Sequence, residues 1–317
     1  MQNKLTRWAQ LAISISLLTY LFYHIDFSRI TAIAANLQSS LILKATLLSI
    51  IATVACKSLL VANLLHGSFK GKFFRLIVIN LKLRYFSIIL PRPAVSALRW
   101  YMYSTLCDAK KAFAILSIES YTYITVMLAT GLIAIKIDPR ASSTHTYYLA
   151  TALAALCILP LTLRLTVKFK KKFLGFSYKT RFTAAANIID RLTTLLQYLN
   201  EQSLKPKTIY FTVLLSLISF LLFIGSSFLL AESLELKISI ISLTWIRALI
   251  MVLTMLPITL GGIGIREAGF VYFFSAYDIS SEEALSYSLS TYFIQLIIAF
   301  LGAATEFSQR IITYAKR

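Results

Sequence analysis

The residues best suited to chemistry in this sequence stand in one short stretch, 256–270, whose letters are LPITLGGIGIREAGF. Pro257 and three glycines interrupt an apolar run there, and the ionisable pair Arg266–Glu267 follows at once. In hydrocarbon, a broken helix persists only where protein buries it or a polar cavity solvates its free N–H and C=O groups. Ionisable side chains at that depth are costly and mark substrate paths. The stretch therefore predicts a substrate-binding break in a membrane helix, and a surface loop between two spans is the alternative.

Arginines and glutamates in other apolar segments extend this candidate site. Arginine suits a lipid phosphate because its planar fork donates two parallel hydrogen bonds and keeps its proton. Helix N-termini beside the glycine breaks would add backbone donors for the same anion. A structural ion pair is an equally open interpretation of each charged candidate. The candidate substrate-binding residues are Arg99, Glu119, Arg247, Gly261, Gly262, Gly264, Arg266 and Glu267.

The glycine-rich stretch resembles the closing motif of the lysylphosphatidylglycerol synthase transmembrane-region proteins, also called the flippase-like domain family. Their pattern reads Pro-Gly-Gly-(apolar)-Gly-(apolar)-Arg-Glu-Ala, and Leu260 stands here where that pattern has its proline. Pro257 lies three positions earlier. The resemblance implies a polytopic membrane domain that moves lipids with charged head groups or helps attach groups to them. The matching residues are Gly261, Gly262, Gly264, Arg266, Glu267 and Ala268.

Composition alone places the chain among integral membrane proteins. Of its 317 residues 58% are hydrophobic and only 14% are charged, yet the net charge is +19. A nucleic-acid binder carries such charge on one solvated face, whereas here the basic residues cluster between apolar runs of about twenty residues. We therefore expect no nucleic-acid partner. The spacing of the three cysteines and three histidines predicts no metal site.

Apolar segments predict an all-α polytopic bundle in the cell (inner) membrane. The run at 8–25 predicts a retained first span, because no cleavage site follows it. Basic clusters on alternate connections place both termini in the cytoplasm and give the cytoplasmic face anionic lipids as partners. Lys44 and Lys57, near opposite ends of one span, are expected to reach the two interfaces. Further spans are predicted at 39–63, 112–137, 146–167, 208–231 and 283–307.

Two segments predict broken helical hairpins instead of simple spans. Residues 73–92 end in a Pro-Arg-Pro break, and the chain then returns through Arg99 to the basic side from which it came. Residues 238–279 break near Pro257 and return to the acidic side. An irregular bundle with an interfacial helix at 73–95 is the alternative.

The hairpins make the chain one transmembrane domain, 1–317, with two related halves, 39–137 and 208–307. The first span of each half runs in the opposite direction to its counterpart, which predicts an inverted repeat. Many transporters have this layout, with the site near midplane where the repeats meet. We therefore expect Arg99 and Arg266, which each follow a break, to approach a shared cavity.

These features predict a flippase-like lipid transporter that binds a phosphate-bearing head group in an intramembrane cavity. The lipid would be a phospholipid or an isoprenoid phosphate. A non-catalytic partner or scaffold of a lipid-linked glycosyl- or aminoacyl-transferase is the alternative. An enzyme is not expected, because the sequence has no GxSxG, HExxH or GxxxxGK[ST] motif, and spans reaching position 307 leave no room for a soluble synthase domain. Neither cofactor nor catalytic residue is predicted.

Overall fold

A computed structural model of the chain describes residues 38–65, 69–90, 92–168, 206–255, 259 and 262–315, together with six isolated positions between 12 and 30. The predicted span at 8–25 lies mostly outside these residues, as does the basic segment 169–205. Within the described ranges the regular structure is helical throughout and contains no strand. The predicted all-α class is confirmed.

The described helices cover each predicted span from 39 onward. The helix over the predicted span at 146–167 is not among the candidate membrane spans of the described residues. In these ranges, four helices are long and apolar enough to cross a membrane: Ser39–Leu64, Ala109–Ile137, Pro206–Ser233 and Ser281–Ser308. A short π-helical turn at Ile51–Ala55 interrupts the first of them. In chain order the helices are α1 (Ser39–Leu64), α2 (Phe69–Ile89), α3 (Arg92–Ser104), α4 (Ala109–Ile137), α5 (Ser143–Lys168), α6 (Pro206–Ser233), α7 (Ile240–Met255), α8 (Ile265–Ser275) and α9 (Ser281–Ala315).

Both hairpins break where the sequence predicts. Proline restricts the residue before it and cannot donate a backbone hydrogen bond, so the α2–α3 break follows from the Pro-Arg-Pro stretch. The α7–α8 break ends in two glycines, Gly262 and Gly264, whose φ angles are 85° and 86°. Other residues adopt such angles only with strain. Pro91, Pro257 and Gly261, the remaining break residues, lie outside the described residues.

The two halves, α1–α4 and α6–α9, share one pattern of helix packing. Each helix of the first half corresponds to the helix at the same place in the second half, and corresponding helices make corresponding contacts. α1 packs on α6, and these two helices are each other's counterparts in the two halves. α2 packs on α9 as α7 packs on α4, and α3 packs on α4 as α8 packs on α9. α5 stands outside this scheme and packs on α4 and α7. This pairing supports the predicted inverted repeat.

Glycines let α4 cross α7 closely and let α9 cross α2 closely. A Cβ added at Gly131 in α4 would lie 2.8 Å from the Cβ of Ala248 in α7. A Cβ added at Gly302 in α9 would collide with the backbone carbonyl oxygen of Leu81 in α2. Helices in a membrane have no hydrophobic driving force to associate, so they depend on close packing of their backbones. Small residues such as glycine permit that close packing.

Asp138 fastens the end of α4 to α7 and to the α8–α9 turn. Its carboxylate accepts hydrogen bonds from the indole N–H of Trp245, at 2.9 Å, and from the hydroxyl of Tyr277, at 2.6 Å. Burial alone would raise the pKa of Asp138, but hydrogen bonds, including those from Tyr277 and Trp245, outweigh it and lower that pKa below its ordinary value. Burial and the bond to Asp138 raise the pKa of Tyr277 to about 12.

Candidate functional site

Glu119 is the centre of a first group of charges that three helices bring together. This α4 side chain is 1% exposed. The guanidinium of Arg99, from α3, donates to one of its carboxylate oxygens, and the ammonium of Lys57, from α1, lies 3.7 Å from the other. Buried charges persist only when they are paired and hydrogen-bonded. Arg99 and Lys57 provide that pairing for the buried carboxylate of Glu119. Arg84 of α2 is partly buried and within electrostatic range of Arg99 and Glu119.

A polar relay holds the helices that carry this group. The Tyr103 hydroxyl of α3 donates to the Asn80 side-chain oxygen at 2.9 Å, and the Asn80 amide donates to the Ser58 hydroxyl at 2.9 Å. All three side chains are buried. The relay therefore ties α3 to α2 and α2 to α1 around the charges. We name Lys57, Arg84, Arg99 and Glu119 the first cluster.

Glu267 is the centre of a second group, built on the α7–α8 break. The side chain is 3% exposed, and both of its oxygens are occupied. One accepts the backbone N–H of Gly264 at 2.8 Å, which caps the N-terminus of α8. The other accepts from the Nε and a terminal nitrogen of Arg266, and the Ser288 hydroxyl lies 3.4 Å away. Glu267 therefore shapes the break and holds Arg266.

Arg247 of α7 is the charged candidate that the described residues leave without a counter-ion. It is 8% exposed, and its guanidinium lies over the rings of Phe223 and Phe270, at 4.5 and 5.5 Å from their centroids. Among the described residues its buried Nε has no hydrogen-bond partner. Arg266 lies within electrostatic range. We name Arg247, Arg266 and Glu267 the second cluster.

A small polar cavity adjoins Arg247 between α1, α6, α7 and α9. Its volume is about 10 Å³, close to the minimum that holds one water molecule. Four hydroxyl side chains and one amide line it beside the guanidinium. These side chains are Ser49, Ser226, Ser227, Thr291 and Gln295.

Tyr123 of α4 lies between the two clusters. Its ring stacks under the Lys57 ammonium, 5.1 Å from the centroid, and its hydroxyl is within electrostatic range of both Arg84 and Arg247. Arg99 and Arg266 thus belong to separate clusters on either side of Tyr123. Within the described residues they do not contact each other, and the expectation of a cavity shared by these two arginines stays a prediction.

The sequence interpretation missed Lys57 and Tyr123. Lys57 contacts Glu119 instead of reaching an interface, and the physical reason is that an unpaired buried carboxylate costs several kcal/mol. The signal was present in the predicted topology. That topology puts Lys57 toward the cytoplasmic end of the predicted span 39–63 and Glu119 toward the cytoplasmic end of the predicted span 112–137, so their predicted depths match. Tyr123 had no comparable signal, because tyrosine is common in membrane helices.

The glycines of the motif shape the backbone instead of contacting a cluster through side chains. Gly264 both turns the chain and donates its N–H to Glu267, whereas Gly262 accepts the Arg266 N–H through its carbonyl oxygen at 3.1 Å. Gly261 lies outside the described residues. Of the residues that the structure describes, no group of three His, Cys, Asp or Glu side chains is placed to hold a metal ion.

Comparison with known proteins agrees with a helical membrane protein. The family model for the lysylphosphatidylglycerol synthase TM region matches residues 7–303. Searches among curated proteins and among solved structures give no match. The matched region includes both clusters and all but the last few residues of the described spans. It makes the protein an integral membrane protein whose family is associated with lipids. The chain belongs to the lysylphosphatidylglycerol synthase transmembrane-region family.

Proposed function

We propose that the protein binds the phosphate-bearing head group of a membrane lipid at Arg247 and carries it across the bilayer, while the hydrocarbon tail stays in the membrane. The lipid is a phospholipid or an isoprenoid phosphate. The observation that supports this best is Arg247 itself, which is buried beside a polar cavity with no carboxylate partner among the described residues.

A buried cation without a counter-ion costs free energy, and an anionic ligand would remove that cost. The planar guanidinium of Arg247 is suited to such a ligand. Leaving one member of a buried ion pair alone costs about 3–5 kcal/mol. The aromatic faces of Phe223 and Phe270 offset part of this through cation–π attraction. They leave the in-plane N–H donors for an oxyanion, and a phosphate accepts two of them in parallel. Arg99 and Arg266, in contrast, already donate to carboxylates.

Transport requires motion, because the cavity beside Arg247 holds about one water molecule and a phosphate is several times larger. The breaks between α2 and α3 and between α7 and α8 are the places where backbone rotation moves helix limbs as units. An inverted repeat provides the matching motion on the other side of the membrane. The proposal contains no chemical step on the lipid.

We place the protein in the cell (inner) membrane with both termini in the cytoplasm, where its basic segments face anionic lipids. Family membership supports association with lipids. A transferase that consumes the lipid on one face would give the movement its direction. If the protein itself moves no lipid, the scaffold of such a transferase is the remaining interpretation.

A liposome assay tests the proposal. Purified protein is reconstituted with fluorescent phosphatidylglycerol or a fluorescent polyprenyl phosphate, and transbilayer movement is followed by chemical quenching of the outer leaflet. Arg247→Gln should slow movement about tenfold or more, since a charge-assisted hydrogen bond contributes about 1.5–3 kcal/mol. Arg247→Lys should slow it as well, because an ammonium cannot replace the fork.

Arg75→Gln is the matched control, because Arg75 is exposed and belongs to neither cluster. It should move lipid at the wild-type rate. Movement by Arg247→Gln at the wild-type rate would contradict the assignment of the site. Wild-type protein that moves neither probe would contradict transport altogether.

A further inference from the structure

The two clusters contain more positive than negative charge. Together they hold five cationic side chains and two carboxylates. Lys82 and Glu306, at 2.6 Å from each other, form a separate α2–α9 pair that leaves this balance unchanged. The cations are Lys57, Arg84, Arg99, Arg247 and Arg266, and the carboxylates are Glu119 and Glu267.

The surplus is divided between the clusters. The first cluster contains three cations and one carboxylate, whereas the second contains two cations and one carboxylate. One negative charge on a ligand therefore balances the second cluster and leaves the first with its excess. Since buried like charges repel strongly at low dielectric, a ligand that reaches both clusters gains most when it carries more than one negative charge.

Tyr123 provides a connection between the clusters. Its hydroxyl lies within electrostatic range of Arg84 on one side and Arg247 on the other. Its ring already stacks under Lys57. A phosphate between the clusters would find a hydroxyl donor as well as cations from both halves of the chain.

We propose that the lipid head group is at least dianionic, a terminal phosphomonoester or diphosphate instead of a phosphodiester, and that Arg84 and Lys57 provide the binding energy that distinguishes them. This rests on the proposed function and names its substrate class. A phosphomonoester carries a charge of about −1.5 to −2 at neutral pH, because its second pKa is about 6. A phosphodiester carries one negative charge.

Three ligands that share one hydrocarbon tail separate the effect of head-group charge on binding from the effect of the tail. Farnesyl phosphate, its methyl phosphodiester and farnesol differ in head-group charge but share the same chain. Their dissociation constants for the purified full-length protein in detergent are measured by native mass spectrometry and by thermal shift. We expect farnesyl phosphate to bind about tenfold or more tightly than the methyl phosphodiester, and farnesol to bind least. The preference should shrink below pH 6, where the monoester gains a proton.

Substitution of a first-cluster cation tests the origin of the preference. Arg84→Gln should reduce the ratio between the monoester and the methyl phosphodiester toward one, because it weakens monoester binding more than phosphodiester binding. Arg75→Gln, on the exposed face of the same helix, should keep the ratio. Lys57→Gln provides a second variant if Arg84→Gln does not purify.

The outcomes distinguish this inference from the proposed function. Equal affinity for monoester and phosphodiester, with weak binding of farnesol, overturns the dianionic class and leaves phosphate recognition intact. Farnesol binding as tightly as both overturns phosphate recognition itself. Inorganic phosphate binding as tightly as farnesyl phosphate would show a site for a free anion and overturn the lipid assignment. An unchanged ratio in both cluster variants overturns the role of the first cluster.

Discussion

The two buried glutamates serve different purposes, although both pair with arginine. Glu119 accepts from cations on two other helices, so it joins α1, α3 and α4. Glu267 accepts from its neighbour and from the backbone N–H at the start of its own helix, so its role is local. Substitution of Glu119 therefore disturbs helix packing, whereas substitution of Glu267 disturbs the α7–α8 break and the position of Arg266.

At the scale of single residues, the bond from Tyr277 to Asp138 predicts a defined pH dependence. The pKa of Tyr277 is raised from its ordinary value of 10 to about 12. The neutral hydroxyl therefore contributes its full stabilisation of the fold at pH values below 10, and this contribution is lost as the pH rises through about 12. Asp138 has a lowered pKa, so its contribution is present above its ordinary value of 3.8 and is lost as the pH falls below it.

Tyr277→Phe should lower the free energy of unfolding by about 1.5–3 kcal/mol at neutral pH, because it removes a hydrogen bond to a charged group. It should also abolish the part of the alkaline destabilisation that falls between pH 10 and 12. Unfolding in detergent, followed by circular dichroism across pH, measures both effects. Tyr272→Phe is the control, since Tyr272 lies on α8, just before the turn that carries Tyr277, and is 64% exposed. Equal behaviour of the two variants would contradict the prediction.

At the scale of helices, close crossings depend on two glycines. Gly302 lies against the backbone of α2, which cannot turn aside as a side chain can. The crossing joins the first hairpin to the last long helix. It therefore fixes the position of Arg84 and Lys82 relative to the second half.

Gly302→Ala should destabilise the protein by about 1–3 kcal/mol or more, because the added Cβ forces α2 and α9 apart. The higher helix propensity of alanine, worth about 1 kcal/mol, offsets only part of this. Thermal unfolding in detergent measures the change. Gly225→Ala is the matched control, since its Cβ would meet only the end of the Leu48 side chain at 3.3 Å. A Gly302→Ala protein as stable as this control would contradict the close crossing.

At the scale of the whole molecule, one sequence shift relates contacts in the two halves. Leu81 and Ala248, the partners of the two close glycine crossings, are 167 positions apart, and so are Arg99 and Arg266. The same separation joins a contact between α1 and α6, where the Ser219 hydroxyl donates to the Ala52 carbonyl oxygen at 2.7 Å. A pseudo-twofold axis through the α1–α6 contact explains all three coincidences. Glu119 and Glu267 do not obey the shift, so the charged clusters are less symmetric than the helices.

The inverted arrangement predicts that both termini are cytoplasmic. Reporter fusions that are active only on one side of the membrane should give a cytoplasmic signal at Met1 and at Arg317. A fusion within the α4–α5 connection, beside Arg140, should give an external signal and serves as the control for reporter orientation. An external signal at Arg317 with a cytoplasmic one at Met1 would contradict the hairpin at 238–279.

The sequence by itself determined the membrane class, the helix breaks and the family. Hydropathy and charge placed four long spans and both hairpins within a few residues of the observed helices, because bilayer thickness and backbone hydrogen bonding leave the chain few alternatives. The glycine motif identified Arg266 and Glu267 as neighbours at a break. These features depend on local sequence alone, so no knowledge of packing was needed.

Only the tertiary structure decided which of the candidate charges pair with one another within the described residues. Glu119 takes both Arg99 and Lys57, while Arg247 lies on phenylalanine rings without a described counter-ion. Which pairs form depends on the rotation and depth of each helix against its neighbours. A buried charge selects its partner across helices by distance, and those distances are set by close contacts such as those of Gly131 and Gly302, which hydropathy does not encode.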